Sequence, residues 1–234
     1  MAEKDKNPHA GHRKRLRDAY LRGGFDALSD VNRLELLLFY AFRQGDTNPL
    51  AHHLLDHFGS LSGVLDADIE QLMQVDGIGE SSAVLIRLMG QLSAAAEKER
   101  VKNRTKGILS TTAQCAEYLM PYFFGLNRET VYVLCMDGKC KVLACRQLGE
   151  GTVNAADISM RRIVEIALHH NASSVILAHN HPCGICSPSD EDSATTLRVW
   201  QALDAVGIQF ADHIIISGTE YHSMAESGFF ESFL

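Results

Sequence analysis

Val175-Ile176-Leu177-Ala178-His179-Asn180-His181-Pro182 is followed, past a loop from Cys183 to Cys186, by Ser187-Pro188-Ser189-Asp190-Glu191-Asp192. The four leading residues are apolar without alternation, the pattern of a strand buried on both faces. Residues two apart on an extended chain project from the same side, so His179 and His181 aim their imidazoles at one point at the strand's end. Pro188 suits the first helical position with Ser187 as its cap, which puts Ser189 and Asp192, three apart, on one face of the opening turn. Two imidazoles and a carboxylate make three protein ligands for zinc and leave the fourth tetrahedral position to water, as in a catalytic site rather than a closed structural one. Ser189 is then a hydroxyl donor for the oxyanion of a tetrahedral intermediate. A blander reading makes the histidines a strand end and Ser189 and Asp192 ordinary helix-start residues. The joint pattern favours metal.

Around this core the second half alternates elements. Val131 to Met136 and Lys141 to Ala144 read as two strands about an Asp137-Gly138 turn. Arg161 to His170 reads as a helix, Thr195 to Val206 as another, and His213 to Ile216 as a further strand, so helices and strands interleave around a mixed sheet, α/β or α+β. The first half is helical. Val31, Leu34, Leu37 and Leu38 form a stripe after a cap at Ser29 or Asp30, and Leu50, Leu54, Leu55 and Phe58 form a second that Gly59 stops. A third runs from Leu61 to Val75, reaches the turn Asp76-Gly77-Ile78-Gly79, and gives way to a helix carrying Ala83, Ile86 and Leu88. The charged stretch Glu97 to Lys106 reads as a helix end plus linker, which sets domains at 1–106 and 107–234.

With 234 residues, 46% of them hydrophobic, the chain is long enough for one large or two small cores, which excludes wholesale disorder. A net charge of −7 provides no chain-wide cationic field for DNA or an anionic membrane. The longest uncharged apolar run, Leu36 to Phe42, is far short of a bilayer span, and no apolar signal core follows the first residues. We therefore expect a soluble cytoplasmic protein that makes no membrane contact. The six cysteines then read as thiols or metal ligands rather than a disulfide framework.

His-x-His followed by Ser-x-x-Asp resembles the JAMM (MPN-plus) zinc hydrolase signature. Gly11-His12-Arg13-Lys14-Arg15-Leu16-Arg17, Gly45-Asp46-Thr47-Asn48-Pro49-Leu50-Ala51-His52, Val75 to Glu80, Asn171-Ala172 and Asp212 to Ile216 are similar to the RadC branch of it. The resemblance covers nearly the whole chain. It implies an α+β protein, a helical N-terminal domain followed by a cytidine-deaminase-like JAMM domain, with His179, His181 and Asp192 as zinc ligands and Ser189 as the oxyanion partner. It also implies a catalytic glutamate on an early strand, a position matched here by Glu129; the chemistry alone does not choose Glu129 over Glu150 or Glu165. The implied activity is hydrolysis of an amide or isopeptide bond in a peptide or protein substrate, by water that zinc and Glu129 activate. RadC members also carry a DNA-repair label, which no residue here turns into chemistry.

Two departures from the RadC pattern stand out. Ser159-Met160-Arg161-Arg162 replaces a His-Pro-Arg-Glu stretch, and Cys183 and Cys186 stand where small or acidic residues are usual. The cysteines define a rival set, His179, His181, Cys183 and Cys186, that would close the site and leave it inert; a loop disulfide and plain substitution are the other readings.

In the first half, the Gly77-Ile78-Gly79 turn between helices resembles a helix-hairpin-helix, whose backbone amides contact DNA phosphate without reading sequence. Residues 1–23 hold seven basic and three acidic side chains, Arg13 and Lys14 among them, which supplies local positive charge. The alternative function is thus a DNA-associated binding protein whose metal domain is structural or inactive. His213 reads either as a residue that orients a ligand or as a packed histidine.

Overall fold

The computed structural model describes residues 11–150, 159–182 and 184–233. The chain is α+β, helical first and then built on a mixed five-stranded sheet. It divides into two compact units, one running to Leu92 and one from Ser93. Among the described residues no helix is long and apolar enough to cross a membrane.

In the first unit, α1 (His12–Gly23), α2 (Asp30–Ala41) and α3 (Asn48–Phe58) are followed by α4 (Leu61–Asp66), α5 (Ile69–Leu72) and the start of α6 (Glu80–Thr105). Ser29 caps α2 by accepting from Asn32 N–H, and Gly59 ends α3 in the left-handed region. The stripes meet in a core of Leu34, Leu38, Leu54, Leu72 and Ile86, all wholly buried. The single helix expected from Leu61 to Val75 is two, because Ser60 caps α4 and Asp68, in a capping box with Gln71, starts α5 afresh. Glu35 is buried between Leu34 and Leu38 and satisfied by His12 Nε2 at 2.8 Å and Asn48 Nδ2 at 3.1 Å.

Helix α6 continues through the charged stretch read above as a linker. Arg100 and Glu97 pair at 3.1 Å, and the burial of Val101 ties that part of the helix to the second unit's core.

The second unit adds α7 (Thr112–Leu119), β1 (Thr130–Met136), β2 (Val142–Glu150), α8 (Met160–His169), β3 (Ser174–Asn180), α9 (Asp190–Asp204), β4 (Gln209–Ser217) and β5 (Glu220–Ser223). The strand order is β2-β1-β3-β4-β5, antiparallel except for β3 beside β4. Val133, Cys135, Val175 and Leu177 face α8 and α9; Leu134, Met136, Ile176 and Ala178 face α7 and the end of α6. All seven residues of β3 are buried, which is why its sequence does not alternate.

Two local readings are corrected. Helix α9 opens at Asp190 with Ser189 as its cap, so Ser187 and Pro188 lie outside it; the capping box between Ser189 and Asp192 sets the start. The turn after β1 is longer than the two residues Asp137-Gly138 suggest. The Asp137 carboxylate accepts from Lys139 and Lys141 N–H at 2.8 and 2.9 Å, and Cys140 takes the left-handed conformation.

Candidate metal centre

The end of β3 and the first turn of α9 bring His179, His181 and Asp192 together. Their ligand atoms all lie within 4.8 Å of one another, the one group of three or more histidine, cysteine or carboxylate side chains placed this way among the described residues. His179 Nε2 stands 2.9 Å from His181 Nε2 and 3.1 Å from Asp192 Oδ1, and His181 Nε2 is 3.5 Å from Asp192 Oδ2. With zinc–nitrogen bonds of about 2.0–2.1 Å, the edges of a tetrahedral ligand set are about 3.3 Å, so the spacing suits three ligands of one ion.

The outer partners assign the protons. His181 Nδ1 is 2.7 Å from the Ile185 carbonyl, which only accepts, so Nδ1 bears the hydrogen. Thr196 Oγ1 donates to the Asp192 carbonyl at 2.6 Å, so it accepts from His213 Nδ1 at 2.6 Å. His213 Nε2 is then a lone pair and accepts from His179 Nδ1 at 2.8 Å. Burial presses His213 well below its ordinary pKa, the direction that favours the neutral ring this chain of bonds requires. Both inner nitrogens are therefore bare, and they face each other and a carboxylate. Three acceptors without a hydrogen between them repel, and a cation among them removes the conflict.

Asp192 is 1% exposed, and burial alone would raise its pKa. When no ion is bound and His179 carries a hydrogen on Nε2, that N–H and its charge, with Ser189 Oγ–H at 2.6 Å and Ser189 N–H at 2.8 Å on Oδ2, hold the carboxyl well below the ordinary range. Ser189, read from sequence as an oxyanion donor, thus directs its hydroxyl at Asp192 in this structure.

Glu129 immediately precedes β1 and is half-buried. Val131 pairs with His179 at the end of the β1–β3 ladder, and Glu129 lies two residues before that pair. Asn180, between the histidines, clamps both neighbours of Glu129: its Oδ1 accepts from Thr130 N–H at 2.8 Å and its Nδ2 donates to the Arg128 carbonyl at 3.2 Å. Sequence reasoning passed over Asn180 and Thr196. An amide between two candidate ligand histidines was the available signal. Of the other glutamates weighed, Glu165 is on the exposed face of α8 paired with Arg161 at 2.7 Å, and the backbone of Glu150 pairs with Thr130. The set built on Cys183 involves a residue outside those described.

The groups considered for nucleic acid are placed differently. Arg13 donates to the carbonyls of Phe42 at 2.6 Å and Gly45 at 2.9 Å and lies over the Phe39 ring. Gly79 N–H donates to Ser82 Oγ at 3.1 Å, and Gly77 takes the left-handed turn conformation. Lys14 is exposed on α1.

Residues 109–229 match the RadC-like JAB domain family, and residues 9–84 match the UPF0758 N-terminal family. The chain belongs to the RadC family. Among its relatives, a UPF0758 protein of Fusobacterium nucleatum is 33% identical over 97% of this chain and 99% of its own length. Another, from Variovorax paradoxus, is 35% identical over 97% and 99%. The RadC assignment fits the α+β architecture and a JAMM-type arrangement of the sheet; the relatives' names state no activity.

Proposed function

We propose that this RadC-family protein is a zinc-dependent hydrolase of amide or isopeptide bonds in peptide or protein substrates. One observation carries the reading: Nε2 of His179, Nε2 of His181 and the Asp192 carboxylate converge, while the Nδ1 of each histidine is engaged by an outer partner, His213 and the Ile185 carbonyl. His179, His181 and Asp192 would hold the ion, and zinc bound there would supply a Lewis acid that brings the pKa of a water to about 7.

The remaining roles fall to the chain's own groups. Glu129, just ahead of β1, is the base that takes the proton of the attacking water and returns it to the leaving nitrogen. Asn180 fixes the backbone on either side of Glu129 and so sets its reach. Ser189 orients Asp192 in the resting state and is the hydroxyl proposed to stabilise the substrate oxygen as charge develops on it.

The test has two arms. Zinc per chain is measured for wild type and His179→Ala, and hydrolysis is measured for wild type and Glu129→Gln. We expect near-stoichiometric zinc that His179→Ala loses, and zinc-loaded Glu129→Gln that does not cleave but retains substrate for identification. Glutamine-variant turnover equal to wild type removes Glu129 as the base; zinc retention by His179→Ala removes the ligand set.

A further inference from the structure

A groove of about 530 Å³ runs beside β2 at the end remote from Glu129, lined in part by every residue from Lys141 to Arg146. Side chains of a strand alternate between faces, so an unbroken run of residues lines one groove only along the strand's edge. β2 is the outermost strand of the sheet. Its outer edge is met at the start by Gly107 to Leu109, through Val142 N–H on the Gly107 carbonyl at 2.6 Å and Leu109 N–H on the Cys140 carbonyl at 2.8 Å. Beyond Val142 no described strand pairs with that edge. An open edge is a template for another extended chain.

The lining is cationic. Lys102, exposed on the last turn of α6, and Lys106, exposed in the turn just past its end, face the groove together with Lys141 and Arg146, and among the described residues no carboxylate lines it. Behind Tyr122, which also lines it, Lys98 Nζ lies 4.6 Å from the ring centre. Lysines at an edge strand discourage stray pairing, which explains Lys141, next to β2, but not Lys102 on a separate helix or Lys106 just beyond it. Leu143, half-way along the lining, is more than a third exposed and offers an apolar anchor.

We propose that this edge is a docking site for an extended acidic segment of a partner protein, which adds to the sheet beside β2 with its carboxylates toward Lys102, Lys106 and Arg146. Main-chain pairing supplies the register and the cations select the partner. Docking requires neither metal nor hydrolysis, so it stands apart from the proposed activity.

The probe is a fluorescent peptide alternating glutamate and valine, titrated by anisotropy against the full-length chain. Three comparisons accompany it: the same peptide N-methylated at alternate amides, a lysine–valine peptide, and oligothymidylate of equal charge. We expect the acidic peptide to bind, the lysine peptide not to bind, and N-methylation to cost roughly tenfold or more, as does Lys102→Glu combined with Lys106→Glu in a protein whose circular dichroism is unchanged. Equal binding of the N-methylated peptide overturns strand addition. Tighter binding of oligothymidylate makes the groove a nucleic-acid site, and failure of the acidic peptide to bind ends the proposal. Should the lysine variant misfold, the N-methyl comparison still decides.

Discussion

Thr196→Val tests the proton assignment that the metal site depends on. Thr196 and His213 are wholly buried, and the threonine hydroxyl is the acceptor, at 2.6 Å, for His213 Nδ1–H. Valine leaves that hydrogen without a partner in a place closed to solvent, at a cost of about 1–3 kcal/mol. His213 escapes by moving its proton to Nε2, but Nε2 faces the Nδ1–H of His179 at 2.8 Å, donor against donor. His179 must then carry its own proton on Nε2, in the space the ion needs. By either route the ligand-competent arrangement becomes dearer by about 1–3 kcal/mol, which corresponds to roughly ten- to a hundredfold weaker zinc binding. Competition against a chromophoric chelator reads this directly, with Thr196→Ser as the variant that keeps the hydroxyl. The reasoning is refuted if valine leaves zinc affinity at the wild-type value, or if serine loses as much as valine.

Three further predictions accompany it. Glu129→Gln should lower kcat by about 10²–10⁴-fold with zinc per chain unchanged, and joint loss of zinc and turnover would place Glu129 among the ligands instead. Asn180→Ala removes the acceptor of the buried Thr130 N–H and should cost about 1–3 kcal/mol in urea unfolding while reducing kcat; full activity in a destabilised variant would deny the clamp any hold on Glu129. Because the folded-state pKa of Asp192 lies below its unfolded value, its contribution is complete above about pH 4 and drains away as pH falls toward the folded value. Metal-free Asp192→Asn should therefore lose less stability than wild type below about pH 4, and parallel curves would contradict the shift.

What the sequence reveals follows the range of the forces involved. β3 is legible because burial on both faces writes itself as an unbroken apolar run, and the two-residue spacing of His179 and His181 is a local property of extended chain. Caps compete within a few residues, which explains the misplaced start of α9: Ser187 and Ser189 are both acceptable caps, and only Ser189 has a carboxylate three residues on that answers its N–H. The helix through Glu97 to Thr105 hides behind its composition, because its charged face is real and the buried Val101 is a single residue. The bonds among His179, His213 and Thr196 join residues on β3, β4 and α9, and no window of sequence holds them.

Glu129, the proposed base, owes its place to strand pairing. Glu129 lies fifty-two positions before His181, and the β1–β3 ladder, in which Val131 meets His179, brings the segment before β1 to the end of β3. A slip of one residue would turn Glu129 to the other face, because side chains alternate along a strand. Asn180 guards against that slip with bonds a neighbouring residue cannot copy: its amide reaches the N–H of Thr130 and the carbonyl of Arg128 at once, which only the observed register allows. The same residue separates the two ligand histidines by the one position that keeps them on a common face. A single side chain thus couples the position of the proposed base to the spacing of the proposed ligands, so the loss of Asn180 should lower turnover before it lowers zinc affinity.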